Sequence, residues 1–396
     1  MIAERLQGVN ASETLVISAK AKELKAQGVD VVSFTVGEPD FDTPTHIKQA
    51  AIEAIESGFT KYTAAEGIPE LRRAIVERVK EDLGLDYEIK NVVVSNGSKQ
   101  ALYNFFQAVL NKGDQVLVPA PYWLSYPPMI KLAGGIPKII QTTQKQNFKI
   151  TPEQLKKAIR PKTKAIILNS PSNPTGAVYT KEELESLARI LEEHDLWVLS
   201  DDAYSKLLYD GFTFYSIAKF SKKLFSKTII FDTLSKTYAM TGWRVGYAVG
   251  SEEILKAMAI IQSQATSSIN SISQKAALKA LTSSQACVKA MVKEFEGRRN
   301  LALQELSKIK KIKCFVPQGA FYLFPDVSKY YGLKFRGKEI TGSNDLATYL
   351  LDEAKVATIP GYVFGADKCI RLSYAASLDH IQKGIARIHK ALEQLE

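Results

Sequence analysis

Apolar segments typical of buried strands alternate with helical segments through most of this chain. The segment at 92–94 leads into a predicted helix at 99–110, and predicted helices at 152–160 and 181–193 each lead into a further strand. Because parallel strands need long crossover connections, usually helices, this order predicts a mostly parallel sheet with helices on both faces. We therefore expect an α/β fold.

The part of the chain after Ser251 has a different pattern. A long helical stretch extends to about Glu305 and is followed by short strands at 321–324 and 369–372. This pattern predicts a second, smaller α+β domain that follows a large α/β domain. The predicted boundary near residue 290 falls within helical sequence, and no repeat or low-complexity linker marks it.

Composition favours a large enzyme over a small binding module. Of the 396 residues, 45% are hydrophobic and 24% are charged, which is enough to bury a sizeable core. The segment Met1–Leu6 lacks the apolar core of a signal peptide, and no run of about 18 apolar residues could span a membrane. We expect a cytoplasmic protein with no membrane partner.

The cysteines and histidines form no pattern typical of disulfides or metal ligands. The three cysteines are widely spaced and odd in number, which favours reduced thiols at Cys287, Cys314 and Cys369. The four histidines show no ligand spacing, and they are His46, His194, His380 and His389. We expect no metal site.

The net charge of +10 raises the question of a nucleic-acid partner. The basic residues are dispersed, and the densest run, Lys308–Lys313, follows a predicted helix, where cations complement the helix dipole and face water. We expect no nucleic-acid partner. A basic surface would instead speed the encounter with anionic substrates.

The segment Thr233–Arg244 combines a lysine with partners for a phosphate. Lys236 could condense with an aldehyde, while short hydroxyls at Thr233 and Ser235 and the planar cation of Arg244 suit a phosphate group. Pyridoxal 5'-phosphate presents both groups. A lysine after an apolar strand is more often a solvated strand end, so this segment alone leaves both interpretations open.

Polar side chains follow three successive predicted strands. The strand at 163–169 leads into a turn that contains Asn173, the strand at 196–200 leads into Asp201 and Tyr204, and the strand at 228–232 precedes Lys236. Because ligands bind at the carboxyl ends of strands in α/β sheets, we expect these side chains to meet at one edge.

Further motifs carry a resemblance to a known family. Besides the lysine segment they are Gly37–Pro44, Lys61–Tyr62, Gly97–Gln100, Pro121–Trp123, Asn173–Gly176 and Arg371–Tyr374. The chain resembles the class I and II aminotransferases of pyridoxal-phosphate fold type I, and within them the bacterial aspartate aminotransferases. The resemblance extends from about residue 12 to the last predicted helix.

The resemblance implies three domains or segments. Residues 1–42 would form an N-terminal segment that packs with the small domain and partly against a second subunit. Residues 43–290 would form the large cofactor-binding domain, and residues 291–396 the small C-terminal domain.

The resemblance also implies roles for the catalytic residues. Lys236 would hold the cofactor covalently and later move a proton. Asp201 would pair with the pyridine nitrogen, and Tyr204 and Asn173 would donate to the phenolic oxygen. Trp123 would stack on the ring.

The phosphate would be held by both chains of a homodimer. The sequence Gly97-Ser98-Lys99 opens a predicted helix, whose free backbone N–H groups can bind an anion. Family members add contacts from the counterparts of Thr233, Ser235 and Arg244, and from Tyr62 of the neighbouring subunit.

The substrates implied are small amino acids and 2-oxo acids. Arg371 would hold the α-carboxylate with a bidentate fork, and Gly37, Trp123 and Asn173 would line the same subsite. Lys99 corresponds to a lysine that holds a distal carboxylate in this subgroup. Its alternative interpretation is a solvated residue on a first helical turn.

The reaction implied is transfer of the amino group of L-aspartate to 2-oxoglutarate, giving oxaloacetate and L-glutamate. The alternatives are an aminotransferase of aromatic amino acids, alanine or prephenate, and a pyridoxal-phosphate-dependent β-lyase. A regulatory module is disfavoured because no appended domain is evident. Relatives that accept prephenate carry a lysine near the N-terminus, whereas this chain reads Asn10-Ala11-Ser12-Glu13-Thr14 there, and the missing cation argues against prephenate as a substrate.

Overall fold

The computed structural model describes residues 2–9 and 13–396. The strands, in chain order, are β1 (Val32–Ser33), β2 (Val92–Ser95), β3 (Gln115–Ala120), β4 (Ile136–Gln141), β5 (Thr163–Asn169), β6 (Trp197–Asp201), β7 (Thr228–Thr233), β8 (Gly246–Val249), β9 (Tyr322–Leu323), β10 (Lys334–Phe335), β11 (Lys338–Glu339), β12 (Val356–Ala357), β13 (Ile359–Pro360) and β14 (Ile370–Ser373).

The helices, in chain order, are α1 (Glu13–Ala26), α2 (Thr45–Glu56), α3 (Pro69–Leu83), α4 (Ser98–Val109), α5 (Tyr126–Leu132), α6 (Pro152–Ala158), α7 (Lys181–Glu192), α8 (Lys222–Lys227), α9 (Leu234–Thr237), α10 (Glu252–Ala265), α11 (Ser271–Thr282), α12 (Ala286–Ser307), α13 (Ser343–Asp352) and α14 (Leu378–Leu392).

The large sheet has seven strands in the order β2-β8-β7-β6-β5-β3-β4. Its strands are parallel except β8, which runs antiparallel to both β2 and β7. The prediction of a mostly parallel α/β sheet is therefore confirmed. Strands β5, β6 and β7 are neighbours, so their carboxyl ends lie side by side at one edge.

Helices cover both faces of this sheet, which explains why its strands are apolar on both sides. Along β5, Ala165 and Ile167 pack into a core with α4, α5 and α10, whereas Ile166 and Leu168 pack into a second core with α6 and α7. Alternate residues of a strand face opposite sides of a sheet, so each side chain contributes to one core. This rigid layer positions the strand ends.

The helical stretch after Ser251 consists of three helices, α10, α11 and α12, not the one predicted stretch. Ser267 adopts a left-handed conformation with φ of 62°, which ends the helical path after α10. The Asn270 side chain then accepts from the Ser273 N–H at 2.9 Å and caps α11. Hydrophobic periodicity continues through all three helices, so the breaks are not visible in it.

The N-terminal part of the described chain joins the C-terminal part. Strand β1 pairs in parallel with β12, and Phe34 is buried in a core formed mainly by residues after 291, such as Phe321 and Leu350. We propose the division into residues 1–42, 43–290 and 291–396 on this basis, with α12 crossing the boundary at 290.

In the part of the chain that the structure describes, the longest helix is α12, which has 22 residues with charged side chains throughout. Among the described residues, no helix is both long and apolar enough to span a bilayer. The three cysteines are free thiols.

Candidate active site

A cavity of about 360 Å³ lies at the carboxyl ends of β5, β6 and β7. Its lining includes residues from both ends of the chain, because Gly37 follows β1 and Arg371 lies on β14. The residues predicted from the sequence that line it are Gly37, Gly97, Ser98, Lys99, Trp123, Asn173, Asp201, Tyr204, Thr233, Ser235, Lys236, Arg244 and Arg371.

Lys236 lies on α9, a short helix that directly follows β7. The Thr233 side chain caps this helix by accepting from the Ser235 N–H. Lys236 Nζ donates to the Gly37 carbonyl oxygen at 2.5 Å. Burial, opposed by the Glu38 charge and assisted by the cations Arg244 and Arg371, lowers the pKa of Lys236 to about 8. The amine is therefore partly neutral, and nucleophilic, near physiological pH.

Asp201 ends β6 and is 4% exposed. Its Oδ2 accepts from the Tyr126 hydroxyl at 2.5 Å, and its Oδ1 faces the Ala203 N–H. Burial raises the pKa of Asp201 to about 6, and the hydrogen bonds from Tyr126 and Ala203 oppose this rise, as does the Lys236 charge. A cation placed against this carboxylate would restore its ordinary ionised state.

Asp202, the next residue, is on the opposite side of the chain. Its carboxylate accepts from the Ser200 hydroxyl at 2.6 Å. Burial first, and then the charges of Asp232 and Asp201, hold the pKa of Asp202 well above the usual range. It lines a separate small cavity and not the large one. The alternation of side chains at a strand end thus separates the two neighbouring carboxylates.

Arg371 is 2% exposed and is held by hydrogen bonds to two distant parts of the chain. Its Nη1 donates to Asn173 Oδ1 at 3.0 Å, and its Nη2 donates to the Thr35 carbonyl at 2.8 Å. Its Nε is buried and, among the described residues, meets no acceptor. A buried guanidinium with an unused donor that lines a cavity is suited to a carboxylate ligand.

The amino end of α4 and Arg244 form a cationic corner of the cavity. Gly97 is the N-cap of α4 and offers no side-chain cap, so the first N–H groups of the helix stay free for an anion. Arg244 is fixed by donation to the carbonyls of Thr241 and Asn96, at 2.9 and 3.3 Å. The Ser235 hydroxyl also lines this corner, 2.9 Å from the Thr233 hydroxyl.

Lys99 and Trp123 meet at the mouth of the cavity. The Lys99 ammonium lies 5.3 Å from the centroid of the Trp123 ring. Desolvation, and then the nearby Arg244 charge, lower the pKa of Lys99, although much of its side chain is exposed to solvent. Lys99 therefore points toward the site without being enclosed by it.

Tyr62 is the one predicted site residue outside the cavity. Its side chain is 91% exposed and does not line the cavity of its own chain. Within a single chain it has no part in the site.

The sequence did not point to two tyrosines that line the cavity. Tyr126 binds Asp201, and its ring packs against Trp123 with centroids 5.3 Å apart. Tyr322 on β9 contacts Tyr204 through their hydroxyls, which are 2.8 Å apart. No local signal marked Tyr126, because Trp123 lies before α5 and the partner Asp201 is 75 residues away. For Tyr322 the one available signal was its place in an apolar strand. A tyrosine hydroxyl buried there needs a hydrogen-bond partner.

The model of the family "Aminotransferase class I and II" matches residues 29–388 of this chain. The chain belongs to that family. It is 48% identical over 98% of its length to an aspartate aminotransferase of Bacillus sp. (strain YM-2), of which it covers 98%. It is 47% identical over 99% of its length to a probable aspartate/prephenate aminotransferase of Rickettsia felis, of which it covers 96%.

The fold of this aminotransferase matches that of solved relatives. The crystal structure of an aspartate aminotransferase from Rhizobium meliloti superposes with a TM-score of 0.97 at 42% identity, and each chain covers 100% of the other. The similarity therefore includes the whole arrangement of the large sheet and the C-terminal strands.

Aminotransferases of this class use pyridoxal 5'-phosphate, and the donors in the cavity fit that cofactor. The free N–H groups of α4, the Ser235 hydroxyl and Arg244 suit its phosphate, and the buried Asp201 carboxylate suits a protonated ring nitrogen. The partly neutral amine of Lys236 suits its aldehyde. The unused Nε of Arg371 is left for a substrate.

Proposed function

We propose that this aminotransferase moves the amino group of L-aspartate to 2-oxoglutarate, giving oxaloacetate and L-glutamate. The observation that supports this most is that one cavity combines the Lys236 amine with cations at two places, the buried Arg371 and the peripheral Lys99. A dicarboxylic amino acid has one carboxylate for each of these two cations. Relatives that are nearly half identical in sequence are named aspartate aminotransferases.

Arg371 would bind the α-carboxylate of either substrate. Asn173 and the Thr35 carbonyl hold its two terminal nitrogens, so the guanidinium plane is fixed before a substrate arrives. Fixing the carboxylate in turn fixes the direction of the α-hydrogen, and this positioning reduces the entropy cost of the reaction.

Lys236 would carry the proton. When bound, pyridoxal 5'-phosphate supplies an aldehyde for the amino group and a ring that accepts the electron pair of the α-carbon. The Lys236 amine, with a pKa of about 8, can take up the α-proton and return it. The Gly37 carbonyl holds this amine within the cavity.

Asp201 would hold the proton of the ring nitrogen, while Tyr126 holds Asp201 in place. Tyr204 and Asn173 would donate to the phenolic oxygen, and Trp123 would cover the ring face. Ser98, Ser235, Thr233, Arg244 and the α4 backbone at Gly97 and Lys99 would hold the phosphate. These roles form our proposal for the site.

Lys99 would favour substrates with a second carboxylate. Its ammonium is free of ion pairs with other side chains in the described part of the chain and lies beside the Trp123 ring. A substrate with an apolar side chain would leave this partly desolvated cation without an anion. We therefore expect aspartate to be preferred over phenylalanine and alanine.

The functional unit would be a homodimer in the cytoplasm. Tyr62 is almost fully exposed and would reach the phosphate of the partner subunit, as the resemblance implies. The three free thiols agree with a reducing compartment.

Donor preference tests the substrate part of this proposal. For the wild type we expect kcat/KM to be highest for aspartate, lower for glutamate and lowest for phenylalanine and alanine. Lys99→Gln should lower kcat/KM for aspartate roughly tenfold and leave kcat/KM for alanine nearly unchanged. Lys112→Gln, at an exposed lysine after α4, is the matched control and should change neither value. A preference for phenylalanine or alanine over aspartate would refute the proposal.

A second candidate activity, with prephenate as acceptor, is supported by the name of the Rickettsia felis relative. Asn10, Ala11 and Ser12, on which the argument against prephenate as a substrate depends, lie outside the described residues. Glu13, which begins α1, is described, and its charge contributes to raising the pKa of Tyr362. Measuring kcat/KM for prephenate with aspartate as donor decides between the two expectations.

A further inference from the structure

Tyr322 lies next to three residues of the proposed site. It is fully buried on β9, and its hydroxyl lies 2.8 Å from that of Tyr204. Its ring lies under the Arg371 guanidinium, whose central carbon is 4.6 Å from the ring centroid. A side chain on Gly37, whose carbonyl holds Lys236, would meet the same hydroxyl.

The two hydroxyls leave one proton free to donate to a ligand. Burial raises the pKa of both tyrosines, so each keeps its proton. One of these two protons is used in the bond between them. If Tyr204 donates to the phenolic oxygen of the cofactor, its own oxygen must accept from Tyr322. The pair is then a directional chain in which each donation strengthens the next.

The ring has a separate effect on Arg371. The central carbon of the guanidinium lies 4.6 Å from the centroid of the Tyr322 ring and 5.1 Å from that of the Phe364 ring. Two aromatic faces attract the cation and restrict its tilt. Hydrogen bonds to Asn173 and Thr35 fix its nitrogens, and the rings fix its plane.

We propose that Tyr322 is a positioning residue with two separable parts, a hydroxyl that makes Tyr204 a donor to the cofactor and a ring that sets the plane of Arg371 for the substrate carboxylate. This inference rests on the proposed function.

The two parts are separated by two variants of the holoenzyme. Tyr322→Phe keeps the ring and removes the hydroxyl, so kcat should fall roughly three- to tenfold while KM for aspartate stays within about twofold. Tyr322→Leu also removes the ring, so KM for aspartate should rise about tenfold. Tyr349→Phe, which removes a buried hydroxyl that donates to the Ala391 carbonyl in the same part of the fold, is the control and should change neither.

The absorbance of the bound cofactor gives a readout that a structural role would not change. A hydrogen bond to the ionised phenolic oxygen favours that form, so a weaker bond from Tyr204 raises the pH at which the cofactor spectrum titrates. We expect an upward shift of about half a unit in Tyr322→Phe and none in Tyr349→Phe. Equal midpoints in wild type and Tyr322→Phe would overturn the role of the hydroxyl.

Gly37 allows a test of the hydroxyl position itself. A Cβ on Gly37 would lie 2.8 Å from the Tyr322 hydroxyl oxygen, and its next neighbour is the ring carbon at 3.8 Å. Gly37→Ala should therefore lower kcat/KM by tenfold or more in wild type, and by far less when Tyr322→Phe has removed the clashing atom. The same loss in both backgrounds would contradict the proposed position.

The outcomes distinguish this inference from the proposed function. If wild type neither binds pyridoxal 5'-phosphate nor transaminates aspartate, the proposed function is wrong and Tyr322 loses its role with it. If wild type does both, and Tyr322→Phe matches Tyr349→Phe in kcat, KM and spectrum, only the inference about Tyr322 is wrong.

Discussion

At the scale of single residues, the neighbouring carboxylates Asp201 and Asp202 differ in what they face. Asp201 lines the large cavity and Asp202 does not. Asp201→Asn should lower kcat by orders of magnitude, since the charge that keeps the ring nitrogen protonated is lost. Asp202→Asn is the matched control and should retain activity within severalfold. Steady-state kinetics of both variants decide this, and similar losses in both would contradict the assignment.

Asp201 should also make the stability of the cofactor-free protein depend on pH. The folded pKa of Asp201, about 6, lies above the ordinary value of 3.8, so between these pH values the folded protein holds a proton that the unfolded chain releases. Stability therefore falls as the pH rises from about 4 to about 6, by about 3 kcal/mol at most. Asp201→Asn should remove this fall, which urea unfolding of both cofactor-free proteins at several pH values measures. An equal fall in the variant would assign it to other groups.

For single residues, the sequence predicted those site residues that stand within a recognisable motif. Motif spacing indicated Lys236 and Arg371, because their neighbours in sequence carry the chemical signal. Tyr126 and Tyr322 owe their positions to contacts with Asp201 and Tyr204 across 75 and 118 residues. No local pattern encodes contacts between residues so far apart.

At the scale of elements, β8 and the start of α4 are in direct contact at the cationic corner. A Cβ on Gly246 would lie 2.6 Å from the Gly97 carbonyl carbon and would also clash with the Ser98 nitrogen. Gly246→Ala should therefore displace the first turn of α4 and weaken pyridoxal 5'-phosphate binding by tenfold or more. Gly242→Ala, with open space around its Cβ, is the control. Equal cofactor affinity in the two variants, measured by absorbance titration, would contradict this account.

The alternation of apolar and helical segments in the sequence predicted most strands and helices of the large domain. It did not predict the direction of β8 or the breaks between α10, α11 and α12. The strand-helix pattern predicted β5, β6 and β7 as parallel neighbours. Strand β8 is antiparallel because Gly246 follows a tight loop after α9 and not a crossover helix. An apolar segment has the same composition in either direction, so composition could not show this.

At the scale of the whole molecule, the proposed sites are shared between two subunits. Tyr62→Ala and Lys236→Ala should each abolish most activity as pure proteins. After the two are unfolded and refolded together, hybrid dimers should regain up to about a quarter of wild-type activity, because one of their two sites then has both residues. No gain over the parents would show that Tyr62 does not act on the partner's site.

The central claim is that the amino group is transferred in two separate half-reactions at the site of Lys236. L-Aspartate alone should convert the bound cofactor from its aldehyde to its amine form, seen by absorbance, with one equivalent of oxaloacetate per site. 2-Oxoglutarate should then restore the first spectrum and yield one equivalent of L-glutamate. Continuous release of a keto acid and ammonia from a single amino acid, with no second substrate, would instead identify a β-lyase and contradict the account.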